Sequence, residues 1–240
     1  MNRGTRFAAA RALLVASSGR LTVLFAGILV PMLAFGVLAN DVWRHTGVWF
    51  DEPVLLALHR HGTGAGDTLA ILFTVLGSAP CMIVIATGLA IFVRMHRGRR
   101  DLVFLLAALG GAAALNVVVK SIFQRSRPML WLSPAPESDY GFPSGHSMAS
   151  MTLAITVIVL AWRTRWRYAA VVFGVAFALA VSGSRLYLGV HYPSDVLGGW
   201  AAAIAWVTGV YAIVQTAAAR LGHTGDDRQD ACESRSRDSK

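Results

Sequence analysis

The chain has 240 residues, of which 55% are hydrophobic and 15% charged, with 22 Lys and Arg against 13 Asp and Glu. Soluble domains carry roughly a quarter charged residues, so this composition argues against a soluble protein and favours a polytopic membrane protein. The net charge of +9 comes from Lys and Arg between apolar blocks, with no basic stripe interleaved with aromatic residues, so nucleic-acid binding is not expected.

The first 20 residues carry four arginines and no acidic residue, and an apolar run from Leu21 to Ala39 follows them. A signal peptide has this order, and residues 37–39 resemble a weak cleavage site. The apolar run is longer than the usual core of a signal peptide, however, and five more runs follow it. A retained first transmembrane helix is therefore predicted.

Residues 40–67 mix aromatic with charged side chains and predict an interfacial segment. Pro80 predicts a kink in the second span, and the small residues from Gly110 to Ala114 permit close packing of the third. The fold class is all-α, a six-helix membrane bundle over residues 21–219, between a basic N-terminus (1–20) and a polar, disordered tail (220–240). The later spans are predicted at about 68–93, 102–122, 146–162, 168–188 and 195–218.

The basic residues predict the orientation of the bundle, because six spans place both termini on one side. Sixteen of the 22 Lys and Arg lie in the N-terminus, the links 94–100 and 163–167, and the tail. By the positive-inside rule this side is cytoplasmic. The sequence therefore predicts a multi-pass protein of the cell membrane, with both termini cytoplasmic and the other loops facing outside.

A compact turn, Pro143-Ser144-Gly145-His146, precedes the fourth predicted span. Ser144 can cap that helix by accepting a backbone N–H, and a helix N-terminus carries free N–H groups and a positive dipole end. Such a helix start is a seat for phosphate, with His146 in the first turn beside the anion. The alternative is an ordinary helix cap with an interfacial histidine.

A pair of cations, Lys120 and Arg127, lies at the end of the third predicted span. Seven residues are close to two helical turns, so both can point the same way if the helix persists that far. The alternative is two cations that snorkel at the membrane edge. Arg125, between them, is interpreted as a contact to lipid headgroups.

A third cluster joins Ser184-Arg185 to His191 and Asp195. An aspartate four residues after a histidine can accept a hydrogen bond from one imidazole nitrogen, which fixes the tautomer and leaves the other nitrogen as a nucleophile. The alternative is Asp195 as a helix cap and His191 as an interfacial polar residue.

The three clusters fall at the predicted outer ends of spans three to six, at one membrane depth, and can converge if those helices bundle. Together they supply three fixed cations, a helix N-terminus and two histidines. This set suits phosphoryl transfer without a metal. Cations and N–H groups would stabilise the oxygens, one histidine would attack, and the other would protonate the leaving oxygen.

The joint pattern resembles that of the type 2 phosphatidic acid phosphatase family, integral-membrane lipid phosphatases whose site is related to that of vanadium haloperoxidases. Lys120 to Pro128 matches the first motif, Pro143 to His146 the second and Ser184 to Asp195 the third. The resemblance covers about residues 51–218. It implies that His191 attacks phosphorus to form a phosphohistidine, that Asp195 orients it, and that His146 is the general acid and then the base. The phosphate-binding residues it implies are Lys120, Arg127, Arg185, Ser144 and Gly145, with no metal and no cofactor.

The expected function is hydrolysis of a lipid phosphate or diphosphate drawn from the bilayer. Similar bacterial proteins act on undecaprenyl diphosphate, phosphatidylglycerol phosphate or phosphatidic acid. A polyprenyl diphosphate is preferred, because a small external phosphatase fits carrier-lipid recycling. The sequence does not indicate the oligomeric state.

Four other functions remain as alternatives. A group transferase would use the same site with a lipid or sugar acceptor in place of water. A transporter or flippase would be expected to show an internal repeat and cations at mid-bilayer, and the sequence has neither as a clear signal. A haloperoxidase would be soluble, and a purely structural membrane protein would leave all three clusters incidental.

Overall fold

The computed structural model describes Thr22 and residues 25–237, with side chains described up to residue 217. All regular secondary structure in these residues is helical, which confirms the predicted all-α class. The basic segment 1–20 lies outside the described residues. A π-helical turn, Phe25–Leu29, leads into the helices α1 (Val30–Trp43), α2 (Asp51–Arg60), α3 (Gly64–Leu76), α4 (Ala79–His96), α5 (Arg99–Phe123), α6 (Gly145–Ala161), α7 (Arg167–Tyr187) and α8 (Pro193–Arg237).

Five of the described helical segments are long and apolar enough to cross a membrane: Phe25–Trp43, α4, α5, α7 and the first 25 residues of α8. Large apolar side chains cover their outside, such as Val84 and Phe173, which are 71% and 74% exposed. An apolar surface of this extent suits contact with lipid. Helix α6 has 17 residues, at the lower limit for a span. The count of six spans therefore stays a prediction.

The predicted second span is two helices, because the chain breaks at Gly77 and Ser78 between α3 and α4. A Cβ at Gly77 would lie 2.4 Å from Val181 and 3.2 Å from the ring of His146. Pro80 falls in the first turn of α4, where its missing N–H costs no helical hydrogen bond. The predicted kink is thus a break, and it brings the end of α3 against α7 and the start of α6.

Helix α2 lies within the predicted interfacial segment and has ten residues, too few to span a bilayer. It is nevertheless docked on the bundle, because Leu55 is fully buried and Asp51, its first residue, is 2% exposed. Its neighbours are α7 and α8.

Helix α8 continues to Arg237, past Ala218, near which the sixth span was predicted to end, and the division into a bundle (21–219) and a polar tail (220–240) stays a prediction. Alanine has the highest helix propensity of the amino acids, and no proline follows the run Ala217-Ala218-Ala219. The backbone hydrogen bonds of the helix can therefore extend into the polar tail.

Phe142 anchors the turn before α6. Its side chain is fully buried, and its ring packs 5.4 Å from Phe35 of α1 and 5.2 Å from Phe123 of α5, centroid to centroid. Gly198 of α8 permits this position, since a Cβ there would lie 2.6 Å from the Phe142 ring. The aromatic cluster therefore fixes Pro143 to His146 relative to three helices.

Helices α5 and α8 approach closely at Gly111, as the predicted small-residue packing requires. A Cβ at Gly111 would lie 2.1 Å from the ring of Trp206. That ring is held in place, because its Nε1 donates to the carbonyl oxygens of Ala107 at 3.2 Å and Ala108 at 3.1 Å. Gly110, one residue earlier, has no atom within 4 Å of its Cβ position.

We predict that Gly111→Ala destabilises the bundle by about 1–3 kcal/mol, because the added methyl group overlaps a ring that cannot move freely. Gly110→Ala is the matched control, and it should leave the stability unchanged or raise it slightly, since alanine is the better helix former. Thermal melting of the purified variants in detergent measures both. Equal melting temperatures would contradict this account of the α5–α8 contact.

Candidate active site

The three predicted clusters meet at one end of the bundle, where α5 and α7 end and α6 and α8 begin; we call it the site end. Lys120 and Arg127 both bind the carboxylate of Asp139. Arg127 also contacts His191. Since His146 of the second motif also lies near Arg127, through Glu137, the three motifs lie together in the structure, and the roles of their residues stay predictions.

Arg127 reaches Lys120 by a route that the sequence did not predict. Helix α5 ends at Phe123, and Gln124 adopts a left-handed conformation with φ 46°. The helix therefore does not persist to Arg127. Instead the following loop, residues 124–144, turns back across the helix ends and carries Arg127 into the site.

His191 and Asp195 form the predicted pair, and both side chains are fully buried. His191 Nδ1 lies 3.4 Å from Asp195 Oδ2, and Arg127 Nη1 donates to His191 Nε2 at 2.9 Å. A guanidinium can only donate, so Nε2 is the acceptor and Nδ1 carries the proton toward Asp195. Burial lowers the pKa of His191, in the link between α7 and α8, to about 4 despite Asp195, so the ring is neutral near pH 7.

Glu137 occupies the centre of the site. Its Oε1 lies 2.5 Å from Arg185 Nη2, and its Oε2 lies 2.6 Å from Arg127 Nη2. The same carboxylate lies 3.8 Å from His146 Nδ1 and 3.9 Å from His191 Nε2. Burial alone would raise the pKa of Glu137, but Arg185 and Arg127 outweigh it and hold that pKa below its usual value. The cations and histidines thus surround one anionic group.

Sequence reasoning missed Glu137 and its neighbour Asp139. Burial would raise the pKa of Asp139, but its bonds to Lys120 and Arg127 hold that pKa below its usual value. Both acids lie in a loop rich in Pro and Ser, with no periodicity and no motif spacing to single them out. Only the folded path of the loop brings them to the cations.

Arg185 is fully buried at the end of α7, and its Nη1 donates to Thr74 Oγ1 of α3 at 2.9 Å. In the part of the chain with described side chains, Arg185 Nε and His146 Nε2 are buried without a hydrogen-bond partner. Buried polar atoms are rarely left in this state in a protein. Arg185 Nε is suited to bind an oxygen of a phosphate group, whereas the His146 nitrogen that lies near the anion at Glu137 is Nδ1, at 3.8 Å.

The start of α6 has the predicted capped form. Ser144 Oγ accepts from the backbone N of Ser147 at 3.4 Å and from its hydroxyl at 3.0 Å. The backbone N of Ser144 donates to the carbonyl of Asp195 at 3.0 Å, which ties α6 to α8. Gly145 is the first residue of the helix, and its Cβ position lies 3.1 Å from Asn116 of α5. Contacts from Ser144 and Gly145 to a phosphate stay predictions.

The interpretation of Arg125 as a lipid-headgroup contact is wrong. Its side chain is only 12% exposed and lies between two carboxylates, those of Asp51 and Asp195. Its guanidinium also lies 4.4 Å from the centroid of the Tyr192 ring. The left-handed turn at Gln124 directs Arg125 inward, and residue spacing alone gives no signal of that.

Among the residues that the structure describes, no group of three or more His, Cys, Asp or Glu side chains could hold a metal ion. The three cations Lys120, Arg127 and Arg185 would in addition repel a divalent metal. The site is instead complementary to a group with several anionic oxygens, and it presents two imidazoles within 4 Å of where Glu137 holds its carboxylate.

Comparison of the amino-acid sequence with known proteins identifies a family. Residues 101–219, from the start of α5 into α8, match the PAP2 superfamily. The chain is 31% identical over 116 residues to the Undecaprenyl-diphosphatase of Sulfolobus acidocaldarius, covering 46% of this chain and 54% of that protein. It is also 31% identical over 129 residues to Phosphatidylglycerophosphatase B of Bacillus subtilis, covering 50% of this chain and 60% of that one. The chain therefore spans just over half the length of these relatives.

A solved structure gives the same result over a longer stretch. The crystal structure of a transmembrane PAP2-type phosphatidylglycerolphosphate phosphatase from Bacillus subtilis superposes with a TM-score of 0.66 at 26% identity, covering 78% of this chain and 96% of that one. Residues 101–219, which hold all three motifs, match the PAP2 superfamily, as the resemblance to type 2 phosphatidic acid phosphatases predicted.

Proposed function

We propose that the protein is a lipid phosphatase that removes phosphate from a lipid phosphate or diphosphate through a phosphohistidine on His191, without a metal ion. One observation carries the proposal. His191 Nε2 and His146 Nδ1 both lie within 4 Å of a single carboxylate that Arg127 and Arg185 bind. A phosphate group held by the same cations would meet a nucleophile and a proton donor together.

Substrate binding uses the cations now held by loop acids. The phosphate oxygens replace the oxygens of Glu137 and Asp139 as partners of Lys120, Arg127 and Arg185. As Arg127 turns to the phosphate, it also releases the Nε2 lone pair of His191, to which it donates in the structure. Substrate binding thereby frees the nucleophile.

The reaction then proceeds in two displacements. In the first, His191 Nε2 bonds to phosphorus as the bond to the leaving oxygen breaks, and His146 donates a proton to that oxygen. Asp195 stabilises the charge on the ring through Nδ1–H. In the second, His146 accepts a proton from water as the water oxygen attacks phosphorus, the N–P bond breaks, and inorganic phosphate leaves.

The surroundings of the site favour a lipid substrate. The site end lies at the ends of four helices of the membrane bundle, whose outer surfaces carry exposed apolar side chains. The alkyl part of a lipid phosphate can stay among those apolar surfaces while its headgroup enters the cluster of cations. The distribution of arginines supports a cell-membrane protein with both termini cytoplasmic and this end outside.

Within the lipid phosphates, we favour a polyprenyl diphosphate such as undecaprenyl diphosphate. Apart from the loop 124–144, the links between the described helices are short, and the little mass that they add outside the bilayer fits the recycling of a carrier lipid. The similar protein of Sulfolobus acidocaldarius is named Undecaprenyl-diphosphatase, and a phosphatidylglycerol phosphate is the competing substrate by the same kind of comparison.

We predict that the purified protein in detergent with EDTA releases phosphate from one member of a panel of undecaprenyl diphosphate, phosphatidylglycerol phosphate and phosphatidic acid. His191→Ala should lower the rate at least about 1,000-fold, because it removes the nucleophile. His96→Ala, an exposed histidine outside the site, should keep the full rate.

Each other outcome has a defined meaning. Full activity of His191→Ala would remove His191 from the mechanism, and loss of activity with EDTA would contradict the metal-free reaction. If wild-type protein releases phosphate only when an acceptor lipid or sugar is added, the protein is a transferase with the same site.

We also predict that Glu137→Gln lowers KM several-fold with kcat little changed, because the carboxylate competes with substrate phosphate for Arg127 and Arg185. Inhibition by inorganic phosphate should strengthen in parallel. Ser138→Ala, at the exposed neighbouring position, is the control for effects on the loop and should leave both constants unchanged. A higher KM in Glu137→Gln would mean that Glu137 helps to bind the substrate.

A further inference from the structure

A buried group of charges lies behind His191, on the side of Asp195. Arg125 Nη1 lies 2.6 Å from Asp195 Oδ1, and Nη2 of the same guanidinium lies 2.8 Å from Asp51 Oδ2. Asp51 is 2% exposed and Asp195 is fully buried. One planar cation thus joins two buried carboxylates, a geometry that suits arginine and not lysine.

Asp51 also holds the start of α8. Its Oδ1 accepts from the backbone N of Ser194 at 2.9 Å, and its Oδ2 accepts from the Ser194 hydroxyl at 2.6 Å. The N–H groups of the first helical turn have no partner within the helix. Asp51, on α2 and 143 positions away in the chain, therefore caps the helix whose first turn carries Asp195.

These bonds fix the orientation of the Asp195 carboxylate. Arg125 binds Oδ1, while Oδ2 accepts from the backbone N of Tyr192 at 2.9 Å and faces His191 Nδ1 at 3.4 Å. Rotation of the carboxylate would break the contact to Arg125, so the oxygen that faces His191 is determined by Arg125. Arg125 in turn is held by Asp51.

The charge of Arg125 is needed as well as its shape. Two buried carboxylates that share no cation favour a proton on one of them, since burial and mutual repulsion both disfavour the second charge. A protonated Asp195 would stabilise the charged ring of His191 less well. Removing one partner of a buried ion pair is also strongly destabilising, because it leaves the other charge uncompensated.

We propose that Asp51 and Arg125 are positioning residues of the phosphatase reaction: Asp51 holds Arg125, Arg125 orients Asp195, and Asp195 orients His191. Neither residue contacts Glu137 or the cations that would bind phosphate, so both act through Asp195. The inference rests on the proposed function, and it gives α2 a role, since this short helix delivers Asp51 to the start of α8.

The first test is Asp51→Asn, which keeps the size of the side chain and removes its charge. We expect kcat to fall about 10- to 100-fold, as is common when a residue that supports a site residue is changed. KM should stay within about threefold of the wild-type value, because the phosphate-binding cations are unchanged. Glu52→Gln is the matched control, the adjacent and exposed acid on the same helix, and should leave both constants unchanged. The double variant with Asp195→Asn and Asp51→Asn should have a kcat no lower than that of Asp195→Asn alone, because Asp51 acts through Asp195.

A second measurement needs no substrate. Nitrogen-15 spectra of the histidine rings, with the His191 signals identified by their loss in His191→Ala, report which ring nitrogen carries the proton. Wild-type protein and Glu52→Gln should show the proton on Nδ1, and Asp51→Asn should show a mixture of tautomers. Arg125→Lys, which keeps the charge but binds one carboxylate at a time, should fall between them.

Unchanged kcat and unchanged spectra in Asp51→Asn would overturn the inference. So would a loss of activity that only follows the loss of folded protein in thermal melting, with kcat per folded molecule preserved. The two proposals fail separately. If wild-type protein hydrolyses no lipid of the panel but Asp51→Asn changes the tautomer, the proposed function is wrong, whereas the control of the His191 tautomer by Asp51 remains.

Discussion

Arg185 is a fully buried guanidinium at the end of a membrane helix, and the rest of the site end is organised around the need to compensate such charges. A buried cation is costly unless an anion and hydrogen-bond acceptors lie against it. Thr74 supplies one acceptor, and the loop between α5 and α6 supplies the carboxylate of Glu137. Because the same carboxylate also binds Arg127, the cations concentrate at one point, and that point lies beside both histidines.

The positive side of the site and its negative side have different roles. Lys120, Arg127 and Arg185 face the position of the anion, where they can stabilise phosphoryl oxygens. Asp51 and Asp195 lie on the far side of His191 and share Arg125. His191 stands between the two groups, with Nε2 toward the cations and Nδ1 toward the acids. This arrangement fixes its tautomer from both sides and directs the basic nitrogen to the anion.

Much of the fold and of the site could be predicted from the sequence, because the residues that form these features lie close together in the chain. The apolar runs predicted the membrane helices. Because the three motifs lie at the ends of those runs, they were expected at one membrane depth and therefore close together. The Ser144 cap and the His191–Asp195 pair involve residues close together in the chain. Glu137, Asp51 and the inward turn of Arg125 could not be predicted, because their partners come from distant segments and no residue pattern marks them. The break at Gly77 has the same origin, since Val181 and His146 occupy the space that a side chain would need.

The proposed reaction requires that His191 Nε2 becomes covalently bonded to phosphorus. This bond is tested by a single-turnover reaction of the wild-type protein with a lipid substrate that carries a phosphorus label. The reaction is quenched in alkali, where phosphohistidine survives, and the peptides are analysed by mass spectrometry. If His191 is the nucleophile, a transient phosphate forms on His191 and decays as free phosphate appears. Product formed with no phosphorylated peptide, or phosphate on another residue such as Ser147, would contradict it.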